Sequence, residues 1–502
     1  MTDTPYERFI ERQNRTRDEA RADSVEKRHR RGGRTARENL SALTDDTPST
    51  EYGQLAVAAQ RSRRSDDELQ LETSGDGVLT VIGSVNGHLF DADRAQTALI
   101  INDYSVLAGT QGFFHHRKID RMLSLARRDL LPVIMLTEGG GGRPGDTDVL
   151  TSAGGLNVPT FHGWAALSGV IPRITINHGF CFAGNAALFG AGDIRIATEA
   201  SYIGMAGPAM IEGGGLGSFA PTQIGPVNEH VKNGGVDILA KDESDAIRFA
   251  RQALAYWQGT ISESEPSPQD ALRQALPQNR RLAYEPRKLL STMLDADSIL
   301  ELKPDFGRAV ITAFARIKGK PVAIVCSDCR HLGGAIDIDA AKKITDLFEL
   351  ANGWQLPVVS FIDTPGFMVG PESESQGAPR IMSELFIAGA KLGTPIIGVC
   401  LRRAYGLGAM AMAGGSFEVP RLMVSWPEGE FGPMGLEGAV QLGFRQELAA
   451  VPEGPERDEL FESLLSELYE RGRATEAASL LEFDNVIDPA DTRDIVARAL
   501  AY

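Results

Sequence analysis

Cysteine is nearly absent, with four residues in 502, and so few cannot staple a chain of this length. A reducing compartment, the cytoplasm, is the expected location. The single CxxC, "CSDC" from Cys326 to Cys329, has no second pair, which leaves a zinc ribbon without its other half. No apolar run reaches 18 residues, and none is therefore expected to span a membrane. Positive charge is also short: the net charge of -16 argues against a nucleic-acid partner. Only the first 37 residues run the other way, with "ERQNRTRDEARADSVEKRHRRGGRTAR". Acids interleave there, which excludes a transit peptide and leaves two readings: a solvated helix on the body of the protein, or a contact for an acidic partner or a phosphate.

The usual catalytic signatures are missing as well. There is no GxSxG elbow, no HExxH and no GxxxxGK[ST], so hydrolase, metalloprotease and P-loop chemistry have nothing to stand on. "DTPG" (Asp363 to Gly366) resembles a GTPase turn but lacks a phosphate cradle. "GLGAMA" (Gly406 to Ala411) fits a dinucleotide fingerprint, yet it sits on the second strand of its unit instead of opening one. His115, His116 and His178 receive no role.

Glycine, by contrast, is plentiful at 54 of 502, and the length calls for two domains of loop-rich α/β type. Two distant stretches share one order of features. "LPVIMLTEGGGGRPGD" is followed by "IPRITINHGFCFAGNAALFGAGD" and "SYIGMAGPAM"; "LPVVSFIDTPGFMVGPE" is followed by "TPIIGVCLRRAYGLGAMAMAGG" and "GEFGPMGLEGAV". Gly184 lies twelve residues after Pro172, and Leu407 twelve after Pro395. Each copy reads as a strand entering a glycine-rich turn, a helical crossover, and a second strand running into a small-residue helix. The expected fold is two α/β halves with mostly parallel sheets. The polar, proline-bearing "SESEPSPQDALRQALPQNRR" reads as the linker, with domains 1–265 and 266–502.

Small residues at a strand-to-helix turn let a ligand approach the backbone itself. A helix start offers unpaired N–H groups and a positive dipole end, suited to an anion or a developing oxyanion. The turns around Ala183-Gly184 and around Leu407-Gly408 therefore read as two oxyanion holes, or as places where helix and sheet pack closely. Loss of one preorganised donor typically costs about 2.7–4 kcal/mol of transition-state stabilisation.

These ordered features, together with "GGRTARENL", "GPAMIEGGGLG", "RRAYGLGAMAMAGGSF" and "DNVIDPADTR", resemble the carboxyltransferase (β) subunit of biotin-dependent acyl-CoA carboxylases, over about residues 30 to 500. The resemblance implies two tandem crotonase-like (ββα-spiral) domains related by internal duplication. It implies that the first half binds acyl-CoA and that the second half, from another copy, binds carboxybiotin. The family's first oxyanion pair falls on Ala183 and Gly184, its second on Leu407 and Gly408. Gly141 and Gly142 would border the acyl pocket; Gly366, Phe367, Tyr405 and Met410 would border biotin and its junction with the acyl group. Also implied are biotin carried on a partner protein, acyl-CoA as substrate, no metal in this chain, biotin carboxylase and biotin carboxyl carrier subunits, and a homo-oligomer (a hexamer, trimer of dimers).

In the implied reaction carboxybiotin releases carbon dioxide in a dry site and its ureido anion takes the α-proton of the thioester. The first hole then holds the enolate, and no protein base is needed. The alternatives are a biotin-linked decarboxylase, a crotonase-type isomerase or hydratase using a base such as Glu138, and a non-catalytic scaffold. Met410 stands where propionyl-type relatives carry Asp, which makes that wall apolar and favours longer acyl chains, unless Met410 only packs its helix.

Overall fold

Val133–Leu136 is apolar throughout, Val358–Thr364 is apolar but for Ser360, Asp363 and Thr364, and both are buried at every residue, as expected of strands covered on both faces of a parallel sheet. The computed structural model describes residues 4–149, 156–263 and 266–501, and the chain divides into two compact units, Met1–Gln258 and Gly259–Tyr502. The boundary expected near residue 265 falls outside the described residues. The segment expected to be a linker is instead folded into the second unit: Leu272 is buried in its core with Tyr284, Leu289 and Ile311.

The first unit carries β1 (Thr50–Glu51), β2 (Val78–Ser84), β3 (Gln96–Asn102), β4 (Val133–Leu136), β5 (Arg173–Asn177), β6 (Phe180–Phe182), β7 (Ile194–Thr198), β8 (Tyr202–Gly204) and β9 (Ile238–Ala240). Its main sheet runs β1-β2-β3-β4-β5-β7-β9, with β6 and β8 paired apart from it. The β1–β2 and β2–β3 pairs are antiparallel and the rest parallel.

The second unit carries β10 (Leu300–Leu302), β11 (Val310–Ile317), β12 (Lys320–Ser327), β13 (Val358–Thr364), β14 (Ile396–Tyr405), β15 (Leu422–Ser425), β16 (Glu430–Gly432) and β17 (Asn485–Val486). The order is β10-β11-β12-β13-β14-β15-β17, with β16 on the far end of β14. Again the first two pairs are antiparallel and the others parallel.

The repeat read from the sequence is thus a repeat of topology, and it extends to single residues. Helices Phe113–Asp129 and Ile338–Trp354 are both 17 residues long and both end on a left-handed residue, Leu130 and Gln355. Each buries a lysine at the same offset: Lys118 donates to the carbonyls of Gly75 (2.8 Å) and Val78, and Lys343 to that of Val310 (2.8 Å). Burial pushes Lys118 down to about 8 and Lys343 to about 7, because the ammonium loses its water and neither the carbonyls it bonds nor the neighbouring carboxylates make up that loss. The stretch that is one continuous strand in β14 is split in the first unit into β5 and β6, with Gly179 at φ 75° just before β6.

Candidate active site

In the first unit, β6 runs into the helix Gly184–Gly190 through Ala183, whose φ of 53° and ψ of -120° lie where a residue with a Cβ is strained. The glycine turn after β4 is laced to this bend. Gly139 donates to the Phe180 carbonyl (2.8 Å) and accepts from the Phe182 N–H (3.0 Å). Gly141, at φ 90°, lies so close that a Cβ there would stand 2.8 Å from that of Ala183. Only glycine permits this approach.

A count of backbone donors separates the expected site residues. The Ala183 N–H donates to the Gly204 carbonyl at 3.0 Å, so the expectation that it serves the oxyanion hole is corrected: the β6–β8 pairing has taken it. The Gly184 N–H, in the first turn of its helix, has no partner among the described residues, and neither has that of Gly142. Gly142 is held in a bridge in which Gln111 donates to the Gly141 carbonyl (2.7 Å) and accepts from the Arg143 N–H (2.9 Å). The site therefore gathers Gly141, Gly142, Ala183 and Gly184, and among these the N–H groups of Gly141, Gly142 and Gly184 have no partner among the described residues.

The second unit repeats the arrangement. Gly406 takes the place of Ala183 at φ 58°, and Gly366, at φ 113°, takes that of Gly141. Phe367 is bridged to Ile336 as Gly142 is to Gln111, and its N–H, like those of Leu407 and Gly408, has no partner among the described residues. Gly366 is spoken for, donating to Thr364 Oγ1 at 3.1 Å. Leu407 and Val369 project outward, 59% and 75% exposed, and give this turn an apolar border. Sequence reasoning placed Gly142 and Phe367 at the site but missed them as donors.

Each turn is preceded at the same offset by a carboxylate, largely buried at Glu138 and fully buried at Asp363. Glu138 is held on both oxygens by the Arg28 guanidinium, at 2.9 and 2.6 Å, and burial pushes it up to about 7 against that pull. Asp363 is gripped by Arg402 (2.9 Å) and Arg403 (2.7 Å), which outweigh burial and hold it below the usual carboxylate range. Glu138 is thus occupied as an ion-pair partner, which removes it as the free side-chain base of a hydratase. Arg28 belongs to the basic N-terminal segment, which is neither wholly solvated nor open to a partner at this point.

Tyr405 departs from the expected contact role: it is 4% exposed, its hydroxyl donates to Glu430 at 2.9 Å, and its ring packs with Leu436 and Val440. Met410 lines a cavity of about 750 Å³ with Phe417, Phe431, Leu436 and Leu468. The histidines are tied locally, His115 to the Asp76 carbonyl, His116 to Thr160 and His178 to Thr198, each at 3.0 Å. Cys326 and Cys329 are buried, and burial pushes both thiols up, away from the thiolate that redox or zinc chemistry uses. Among the described residues no helix is long and apolar enough to cross a membrane.

Unpartnered N–H groups in a glycine turn and at a neighbouring helix start can hold an oxygen that gains negative charge. Comparison with known proteins points the same way. The profile of the carboxyl transferase domain matches residues 27–502. The methylmalonyl-CoA carboxyltransferase 12S subunit of Propionibacterium freudenreichii subsp. shermanii is 28% identical over 95% of this chain and 90% of its own length. The propionyl-CoA carboxylase beta chain of Saccharopolyspora erythraea is 27% identical over 95% and 89%. Among solved structures, a single-chain, multi-domain long-chain acyl-CoA carboxylase superposes with a TM-score of 0.93 at 47% identity, covering 99% of this chain. The chain spans about half (49%) the length of that protein. The transcarboxylase 12S hexamer, solved with methylmalonyl-coenzyme A, gives 0.86 at 27% identity over 100% of this chain and 95% of its own.

Proposed function

The chain belongs to the carboxyl transferase family, the carboxyltransferases of biotin-dependent acyl-CoA carboxylases, and from that premise we propose how its residues divide the reaction. The first unit binds the acyl-CoA and the second receives carboxybiotin. The observation that carries this reading is the set of unpartnered N–H groups at each turn, Gly142 and Gly184 among them in the first unit, and Phe367, Leu407 and Gly408 in the second.

Gly142 and Gly184 hold the thioester oxygen as the α-carbon loses its proton and the oxygen gains charge. Because both donors are fixed by their neighbours before substrate arrives, they cost no reorganisation during the reaction. Phe367 and Leu407 offer the matching pair for the ureido oxygen of biotin. The missing Cβ of Gly408 lets the helix start pack directly on the Gly366 backbone, and Leu407 and Val369 would border a bound ring with apolar surface that excludes water. Carboxybiotin, carried on a partner protein, supplies the carboxyl group. Asp363 and Glu138, both engaged by arginines, take no proton in this scheme.

The acyl group we propose is a long one. The likeness at 47% identity to a long-chain acyl-CoA carboxylase supports it. In a pocket each buried methylene is worth about 0.8 kcal/mol, so two extra carbons favour binding roughly fifteenfold. We place the chain in a homo-oligomer, with a hexameric relative as support, and in the cytoplasm, working with biotin carboxylase and carrier partners. A series of acyl-CoAs of increasing length, offered with a carboxylated carrier, tests the substrate: the rate peaks at long chains, and a preference for acetyl-CoA overturns this reading.

A further inference from the structure

The glycine turn of the first unit is anchored by a residue far away in sequence. The helix Ala22–Arg30 sends Arg28 inward, and its guanidinium spends its donors on three groups: the Arg34 carbonyl (2.9 Å), both oxygens of Glu138 (2.9 and 2.6 Å) and Glu243 (3.3 Å). Glu243 is fixed in turn by the Arg34 N–H (2.6 Å) and Asn39 (2.9 Å). Two glycines make the room. A Cβ at Gly33 would stand 2.4 Å from the Arg28 guanidinium, and one at Gly179 would stand 2.4 Å from Glu138 Oε1. Glu138 is followed at once by Gly139, Gly140, Gly141 and Gly142, a run whose backbone has no side chains of its own to hold it in place.

The second unit shows what this pair is for. Asp363 stands at the same offset before Gly366 and is gripped by Arg402 and Arg403, which lie on β14 itself. There the anchor comes from the strand that feeds the neighbouring bend. In the first unit the corresponding strand, β5 and β6, carries no such arginine next to Glu138, and the N-terminal segment provides the cation.

We propose that Arg28 is a positioning residue, which through its two-point grip on Glu138 fixes the Gly139–Gly142 turn so that the Gly142 N–H serves together with the Gly184 N–H. The inference rests on the reading of those two groups as the donors to the thioester oxygen. A shift of about 1 Å at such a site costs on the order of a hundredfold in rate. The interaction is made in the transition state more than in the ground state, so kcat falls while KM stays.

The test uses the full chain with carboxylated carrier and acyl-CoA, in three variants. Arg28→Lys keeps the charge and loses the fork. Arg28→Met leaves Glu138 buried without its cation. Arg28→Met combined with Glu138→Gln removes both charges. The expected result is a kcat roughly tenfold lower for Arg28→Lys and about a hundredfold lower for Arg28→Met, with KM for acyl-CoA within about twofold. The double variant regains the melting temperature that Arg28→Met loses but not its kcat. A wild-type kcat in folded Arg28→Lys or in the double variant overturns the inference. So does failure of both to fold, which makes Arg28 a folding residue only. A wild-type chain that transfers no carboxyl group overturns the donor reading itself and is told apart by that control.

Discussion

Gly408 lies directly on the backbone of Gly366: a Cβ at position 408 would stand 2.7 Å from the Gly366 Cα and 2.9 Å from the Phe367 nitrogen. No flexible side chain is there to give way, so Gly408→Ala pushes the second turn off its place. The expected outcome is a loss of carboxyl transfer of a hundredfold or more with the first unit intact. Gly142→Ala is the contrast. Open space surrounds it and the N–H survives, so a purified Gly142→Ala enzyme keeps most of its rate. Similar rates for the two variants contradict the assignment of backbone donors.

Gly184 separates the donor from the space around it. Proline is tolerated at the first position of a helix, which Gly184 occupies, but it deletes the N–H. Gly184→Pro lowers kcat about a hundred- to a thousandfold in a variant checked for unchanged melting and oligomer size. Gly184→Ala keeps the N–H, and its Cβ meets the Gln111 amide oxygen at 2.2 Å and Phe161 at 3.0 Å. Gln111 must then turn from Asn185, and an intermediate loss is expected. Full activity of a folded Gly184→Pro variant removes this N–H from the mechanism.

Met410→Asp puts a carboxylate into the wall of the cavity it shares with Phe417 and Phe431. The expected effect is a fall in kcat/KM that grows with acyl chain length, roughly four- to fifteenfold larger for chains one or two carbons longer. Measured across a length series, an equal loss at every length leaves Met410 as a packing residue.

The order of strands and the two turns were legible because the constraints there are local. Pro172 and Pro395 mark equal distances to the bends, and small residues mark where backbones touch. Which N–H groups are free was not legible. The Ala183 N–H is consumed by Gly204, a partner set by how β6 and β8 pair, and no feature of "CFAGNAA" announces it. The grip of Arg28 on Glu138 spans 110 residues, and a basic run reads the same whether its arginines face water or a buried acid. Leu272 was hidden for the same reason: two leucines, Leu272 and Leu276, amid polar residues and prolines do not reveal that the second core takes them in.

Lys343 gives a prediction in pH. Its folded-state pKa is depressed from 10.5 to about 7 by burial, so the unfolded chain binds a proton that the folded chain lacks between those values. Stability from this group is present above 10.5 and is lost as pH falls through about 7. Relative to Lys343→Met, which does not titrate there, the wild-type melting temperature rises as pH is raised from 7 to about 10. A constant difference over that range contradicts a depressed lysine.

The most direct test follows the carboxyl group. A biotin carrier is loaded with labelled carboxylate by its biotin carboxylase, freed of ATP and bicarbonate, and mixed with this chain and a long-chain acyl-CoA. The account predicts that label moves from the carrier to the acyl-CoA at a rate that depends on this chain and collapses in Gly184→Pro. Label that stays on the carrier, with chain and carrier both folded and a carrier of the matching complex supplied, contradicts it.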